Sequence, residues 1–568
     1  NGAGVEFEDK FEKNIYTIYP AVGGIKSQTV EKEIQSVIGM QRELVEPELR
    51  KQLNLSPYTA VLQAMHQPET MKDVETARKH LAFYDLIYFC MGLKKMDTTL
   101  TRGSDIVFKN TDLTRKFMGS LPYSLTRKED RTSLIDKETG ILSGGQIDAI
   151  NHMTMMAQKG ERLNVLLEGD VGCGKTLVAV CMMLLTHENG YQSVLMAPKT
   201  VLAKQHYDEI SGYARSLGLE CAYLHSGTSA ADKKERKEAL KKIKDGTASL
   251  VIGTHSCISK DVEFKNLGLV ILDEEQQFGV DQKMALFEKA MPNCHSIEMS
   301  ATPIPRSLTM SIYSSKNIVR ITEKPAGRLP VITDYTRDEQ DAYNLVKTEL
   351  DKGRQAYVVC PAIDDNEGVD IIGVDTVGAA YAKVFAPFGY KVGVVNGKMK
   401  PEEFKAVIED FKCGNTHILV STTVIEVGVN VPNATAIVIH QAERFGLSQL
   451  HQLRGRVGRK DHQSYCLLLT KDEDNERVDA MKNLNNGFDI AEADYQMRGP
   501  GNIIGTEQSG ESAYINEAIA CPELFNLARK VVATFDKTNR YGRFLNLVYK
   551  EHEMLDEEYR SKKKGSDE

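Results

Sequence analysis

At 568 residues the chain is longer than one hydrophobic core supports, so several domains are expected. Hydrophobic content of 41% and charged content of 26% are ordinary for a globular protein, and no apolar run reaches the length of a membrane span. The net charge of −8 excludes binding of nucleic acid through an overall positive field, so such a partner has to be held by local basic grooves.

The ten cysteines are scattered without a C-x-x-C pair, which suits a reducing compartment and argues against zinc. No signal peptide opens the chain, and the first residue is Asn1, so a fragment or a processed product is expected. Residues 1–115 read as a helical linker region: Ser27–Gly39, Pro47–Gln63 and Asp73–Gly92 are amphipathic, with breaks at Ser56-Pro57 and Gln67-Pro68. No catalytic constellation lies there. Residues 121–141 are polar and charged and read as a loop.

From Asn164 short apolar runs alternate with helix-length segments: Val165–Leu167, Ser193–Ala197, Leu250–Gly253, Leu269–Leu272 and Ser296–Met299. That rhythm predicts a parallel sheet with helices on both faces. A second series, Ala356–Cys360, Lys391–Val395, His417–Ser421, Ala436–Ile439 and Tyr465–Leu469, predicts a second α/β lobe. The joint is expected near 326, giving one lobe over 116–325 and another over 326–475. Residues 476–568 turn helical and glycine-punctuated and end in a Lys-rich tail expected to be disordered.

The chemistry begins after the first apolar run. GDVGCGKT at 169–176 fits G-x-x-x-x-G-K-[ST], with a strand-like segment before it and a helix-like one after it. Gly169, Gly172 and Gly174 let backbone N–H groups close around phosphate oxygens at a helix N-terminus. Lys175 reaches the β- and γ-phosphates of ATP, and the Thr176 hydroxyl ligates Mg²⁺. Cys173 inside the loop is either activated toward the thiolate by Lys175 and the helix N-terminus or an inert filler of a small pocket.

Next, LVILDEEQ at 269–276 is a buried strand ending in carboxylates, where ligands of α/β sheets gather. Asp273 is placed to hold Mg²⁺, and Glu274 to orient and deprotonate the attacking water. Far along the chain, QLRGRVGR at 452–459 presents arginines able to cross a cleft toward a γ-phosphate. Together these stretches imply a nucleotide held between two lobes. The Lys/Arg-rich stretch Asp232–Lys244 has alternating charges and reads as a solvated helix face.

The phosphate loop, the DEEQ stretch, SATPIPR at 300–306 and QLRGRVGR resemble the superfamily 2 helicases and translocases. GTHSCIS at 253–259, DEEQQFGV at 273–280, STTVIEVGVNVP at 421–432 and RFGLSQLHQLRGRVGR at 444–459 are similar to the RecG/Mfd branch. RGPGNIIGTEQSG at 498–510 resembles the segment that branch carries beyond its motor. The helical stretch 60–89 resembles the RecG linker between wedge and motor. This likeness implies an α/β fold of two tandem RecA-like P-loop lobes, a helical linker before them and a small helical coupling domain after them.

It also implies that Gln146 reads adenine, that Arg456 and Arg459 face the γ-phosphate with Gln452 alongside, and that Ser300 and Thr302 link hydrolysis to DNA movement. Arg498 and Gln508 are implied to couple lobe motion to translocation. Phosphates of duplex DNA are expected near Lys199-Thr200, 253–255 and 396–399. The implied function is an ATP-dependent DNA translocase using Mg²⁺, acting on double-stranded and branched DNA in repair and recombination. It implies a monomer in the bacterial cytoplasm at the nucleoid, with single-stranded-DNA-binding protein as a candidate partner and no membrane. Two competitors are an Mfd-like motor acting on RNA polymerase and a junction-binding protein with a dead ATPase. Three departures stand out: Gln276 where the family usually has His, an extra segment at 126–141, and no wedge fold in this chain.

Overall fold

The computed structural model describes residues 6–9, 15–19, 27–39, 47–52, 54–100, 104–130, 134–136, 140–225, 230–300, 316–324, 329–362, 372–423, 431–458, 462–472, 475–498, 524, 527–528 and 530–532. The chain divides into two compact units: residues 1–99, 307–315 and 498–568 in one, and 100–306 with 316–497 in the other.

In the first unit, β1 (Glu6–Asp9) and β2 (Ile15–Ile18) form an antiparallel pair. Helices follow at Ser27–Ile38, Pro47–Gln52, Tyr58–His66 and Met71–Leu100. The amphipathic stretch 47–63 holds two helices, and the expected break at Ser56-Pro57 directly precedes the second, where proline disfavours helical backbone in the residue before it. Buried Val61, Met65, Val74, Phe83 and Tyr84 lie on the last two helices. The Tyr84 hydroxyl donates to Ser56 O at 3.0 Å, and Tyr19 OH meets His66 Nδ1 at 2.7 Å.

The second unit contains two sheets. The first comprises β3 (Leu142–Gly144), β4 (Asn164–Gly169), β5 (Gln192–Met196), β6 (Glu220–Leu224), β7 (Ala248–Gly253), β8 (Leu267–Asp273), β9 (His295–Ser300) and β10 (Asn317–Ile321). These eight strands are ordered β3-β10-β4-β9-β8-β5-β7-β6, and every pair is parallel. Central strands β4 and β8 are buried along their whole length, which is why they read as unbroken apolar runs.

The second sheet comprises β11 (Ile332–Thr336), β12 (Gln355–Val359), β13 (Val392–Val395), β14 (Ile418–Ser421), β15 (Ala434–Ile439) and β16 (Tyr465–Leu469). It has six parallel strands, ordered β11-β16-β15-β12-β14-β13. Along β12, Tyr357 and Val359 enter one core while Ala356 and Val358 enter the other. Successive side chains on a strand point to opposite faces, so both faces of this sheet are covered by apolar packing.

Helix Asp112–Ser120 crosses the expected boundary at 115/116. Its Thr114 hydroxyl donates to Glu188 at 2.6 Å, and buried Phe117 joins the core of the first lobe. Among its described residues, the polar stretch before β3 has neither helix nor strand beyond a single bridge between Ile135 and Leu142. Among the described residues no helix is long and apolar enough to cross a membrane.

Candidate nucleotide site between the two lobes

The phosphate-loop sequence turns out of β4 and enters helix Lys175–Glu188. Gly174 stands at φ +86°, a backbone conformation that side chains rarely adopt, and a Cβ there would collide with Gln146 Nε2. Lys175 Nζ donates to Gly169 O at 2.5 Å and to Asp170 O at 3.3 Å. The buried Cys173 thiol packs against Gly169, where an added Cβ would collide with Sγ. Of the two readings of this cysteine, that position is the filler's.

Gln146 opens helix Gln146–Gln158 and is buried. Its Oε1 accepts from Thr126 N at 3.1 Å, and its Nε2 donates to Gly174 O at 3.4 Å. The glutamine thus ties the polar segment at 126 to the phosphate loop. Asp148, two residues on, accepts from Gly145 N and Lys128 N, each at 2.9 Å, and so fixes the same segment.

Asp273 ends β8, one strand over from β9 and two from β4. His206, on helix Thr200–Ser216, holds its Oδ2 through Nε2 at 2.7 Å. Burial works against charge on Asp273, but the hydrogen bond and charge of His206 and the charge of Lys175 outweigh it, and the carboxyl is held below its usual range. Burial likewise disfavours the His206 imidazolium, yet Asp273 raises its pKa. Sequence reasoning missed His206. Its position on a helix far from any motif gives no signal except a lone His on a buried helix face.

Glu274 follows at φ 52°, ψ 55°, the left-handed region, and starts a short 3₁₀ turn at Glu275–Gln277. Gln276 Nε2 donates to Glu274 Oε2 at 2.8 Å, so the residue that departs from the family pattern touches the expected water-activating carboxylate. Glu275 is a separate matter: it is buried and bonded to Lys283 at 2.5 Å. Ser300 ends β9 and is buried.

Helix Leu447–Arg454 of the second lobe reaches the phosphate loop. His451 Nε2 lies 2.5 Å from Asp170 Oδ1. A Cβ on Gly455 would stand 2.6 Å from Val171 Cγ1, so the chain between Arg454 and Arg456 runs against the loop. Gln452 and Arg456 flank this contact, both half-buried. Arg454 is buried and bonds Met481 O and Leu484 O, each at 2.8 Å. Thr302, Arg459 and Gln508 lie outside the described residues, and so does most of the stretch from 498 to 510; Arg498 ends helix Gly487–Arg498.

Of the segments expected beside DNA, Lys199-Thr200 follows β5, Thr254-His255 follows β7 and 396–399 follows β13, all at carboxyl ends of strands. Helix Ala230–Asp245 pairs its cations with acids of its own lobe: Lys242 with Glu220 at 2.7 Å, Lys244 with Glu263 at 2.6 Å and Arg236 with Asp261 at 2.9 Å. Among the described residues no group of three or more His, Cys, Asp or Glu is arranged to hold a metal ion on its own.

Three family models match the chain: DEAD/DEAH box helicase over 144–311, helicase conserved C-terminal domain over 340–461, and ATP-dependent DNA helicase RecG, domain 3, C-terminal, over 484–541. The ATP-dependent DNA helicase RecG of Synechocystis is 36% identical over 532 residues, which cover 92% of this chain and 61% of the relative. That of Bacillus subtilis is 36% identical over 511 residues, covering 88% of this chain and 72% of the relative. A solved structure of RecG bound to a three-way DNA junction superposes with a TM-score of 0.66 at 31% identity, covering 91% of this chain and 66% of that one. Two parallel-sheet lobes in the helicase arrangement, matched over nearly the whole chain at this identity, mean that the chain belongs to the RecG family of ATP-dependent DNA helicases.

Proposed function

We propose that this chain is an ATP-driven motor that moves on double-stranded DNA and remodels branched DNA, such as stalled forks and four-way junctions, in repair and recombination. The observation that carries this reading is the contact of the second lobe with the phosphate loop, where His451 meets Asp170 and Gly455 meets Val171. A nucleotide bound there touches both lobes, so its hydrolysis can change their relation. The junction-bound RecG structure supports branched DNA as the partner. The relatives that support it extend beyond this chain, which spans 61% of the Synechocystis protein.

In this reading Gly169, Gly172, Gly174 and Lys175 cradle the phosphates, and Gln146 and Gln452 border the nucleotide. Glu274 orients the attacking water and accepts its proton, while Arg456 and Arg459 neutralise charge developing on the γ-phosphate. The donor set suits Mg²⁺, a hard cation: one buried carboxylate, Asp273, and one hydroxyl, Thr176, leaving positions for phosphate oxygens and water. When bound, the ion neutralises phosphate charge, and His206 keeps Asp273 ionised and aimed. Ser300, Thr302, Arg498 and Gln508 relay the cycle to DNA. Residues 1–99 serve as linker, 100–325 and 326–475 as lobes, and 476–568 as the coupling segment. The motor works as a monomer at the bacterial nucleoid and meets single-stranded-DNA-binding protein there.

Steady-state ATP hydrolysis with and without forked DNA tests this. Stimulation of about tenfold or more is expected, as for a strongly coupled pair of sites. Turnover indifferent to DNA, or none at all, would sink it.

A further inference from the structure

Asp170, inside the phosphate loop, draws its side-chain partners from separate stretches of the chain. Its Oδ1 accepts from His451 Nε2 at 2.5 Å and from Val171 N at 2.7 Å. Its Oδ2 accepts from Lys324 Nζ at 3.1 Å and from Gly487 N at 3.4 Å. Burial opposes the charge, but the His451 hydrogen bond and the Lys324 cation outweigh it and hold the carboxyl well below the usual range. Removing any one partner would leave part of a buried charge uncompensated.

His451 passes this contact on. Arg454 Nη2 lies 3.2 Å from its Nδ1; a guanidinium only donates, so Nδ1 accepts and Nε2–H donates to Asp170. The same guanidinium carries the carbonyls of Met481 and Leu484. From the other side, Lys324 Nζ donates to Asn485 O at 3.4 Å. Arg320, paired with Glu168 at 2.6 Å, lies 5.2 Å over the Phe488 ring. A Cβ on Gly487 would stand 2.8 Å from His451 Nε2 and 2.9 Å from Asp170 Oδ1. Residues 481–488 are thereby threaded past the phosphate loop, and they lead into helix Gly487–Arg498.

The loop also has a means to change Asp170. Lys175 Nζ sits on the carbonyls of Gly169 and Asp170, so moving that ammonium toward a phosphate releases the backbone of the residue whose side chain holds the bridge. A polyphosphate in the loop also brings like charge toward a buried carboxylate. We propose that Asp170 and His451 are positioning residues that transmit occupancy of the phosphate loop to residues 481–498 through the Gly487 amide and the Arg454 guanidinium. The inference rests on the proposed function, since it takes ATP as the occupant and the segment ending at Arg498 as its output.

Hydrogen exchange of peptides covering 481–498, with and without Mg-ADP or a non-hydrolysable ATP analogue, tests it. In the intact chain nucleotide should change exchange of this segment by about threefold or more. Compared at saturating fluorescent nucleotide, whatever their change in affinity, Asp170→Asn and His451→Ala should show less than about half that response. His451→Gln, which restores a donor toward Asp170, should recover it. The double variant should be no worse than the weaker single one, because both act on one contact. Should His451→Ala not fold, Asp170→Asn and His451→Gln still decide the matter. Variants that bind nucleotide and respond like the intact chain overturn the inference. So does an intact chain that binds nucleotide while the segment stays silent. An intact chain that binds no nucleotide overturns the proposed function itself, and the inference with it.

Discussion

The two lobes have the same construction, an all-parallel sheet with both faces covered, yet they fill their strands differently. The first lobe buries charge there: Glu168 with Arg320, Asp273 with His206, and Glu298 with Lys283 at 3.0 Å and Lys316 at 2.6 Å. No described strand of the second lobe buries a charged side chain, and its buried cation, Arg454, sits on a helix facing the first. Buried charge is costly unless every group is paired, so it persists where geometry has to be held before a ligand arrives. In the proposed reading the difference divides the labour: the first lobe would hold the nucleotide, and the second would act on it as charge develops.

The sharpest break in that division comes from Lys175 and Arg456. Lys175→Ala should lower ATP turnover by about 10³-fold or more and weaken nucleotide binding. Arg456→Ala should lower turnover by about 10²-fold while leaving the nucleotide Kd within a few-fold, because it acts on the transition state. Turnover at saturating DNA and titration with a fluorescent nucleotide measure both. Equal loss of affinity in the two variants would erase the distinction.

A smaller effect separates the lobes by stability. Glu168→Ala strands the buried Arg320 guanidinium and should cost about 3–5 kcal/mol in urea unfolding of the first lobe. Replacing both partners with Met should cost far less, since a buried pair is often close to neutral against apolar residues of similar size.

Acid tests where the lobes are alike. Burial pushes His295 in the first lobe and His440 in the second down to about 4 from an ordinary 6.5. A histidine held neutral in the fold contributes stability that is fully present above pH 6.5 and is lost as pH falls toward 4, where the folded chain must also take the proton. The loss amounts to at most about 3 kcal/mol for each. His295 Nδ1 accepts from Leu163 N at 3.0 Å and its Nε2 faces Ile106 O at 2.9 Å, so protonation also breaks a bond. His295→Gln should flatten the melting temperature between pH 6.5 and 4; an unchanged slope would assign the acid loss to other groups.

Much of this was legible in the sequence where a strand is buried on both faces. β4, β8 and β15 announce themselves as apolar runs. β6 and β11 do not, because they are edge strands with half-exposed residues, and β3 is an edge strand of three residues. β10 lies inside the sheet, but Arg320 interrupts its pattern, and its pairing with Glu168 helps explain how a cation sits there. The phosphate loop and the carboxylates after β8 were legible because their chemistry requires fixed spacing. His206 and the Asp170–His451 contact were not, since they join residues 67 and 281 positions apart and no local pattern records such a meeting.

The left-handed backbone at Glu274 has a consequence for anyone who improves this protein by selection. A non-glycine residue at φ 52° carries a conformational cost of about 1 kcal/mol or more, which glycine relieves. A library screened only for heat tolerance will therefore enrich Glu274→Gly, and with it molecules that melt later and have lost the carboxylate beside Asp273. With Glu274 as the proposed water-activating carboxylate, heat resistance and turnover would pull this codon in opposite directions, so a useful screen has to score both.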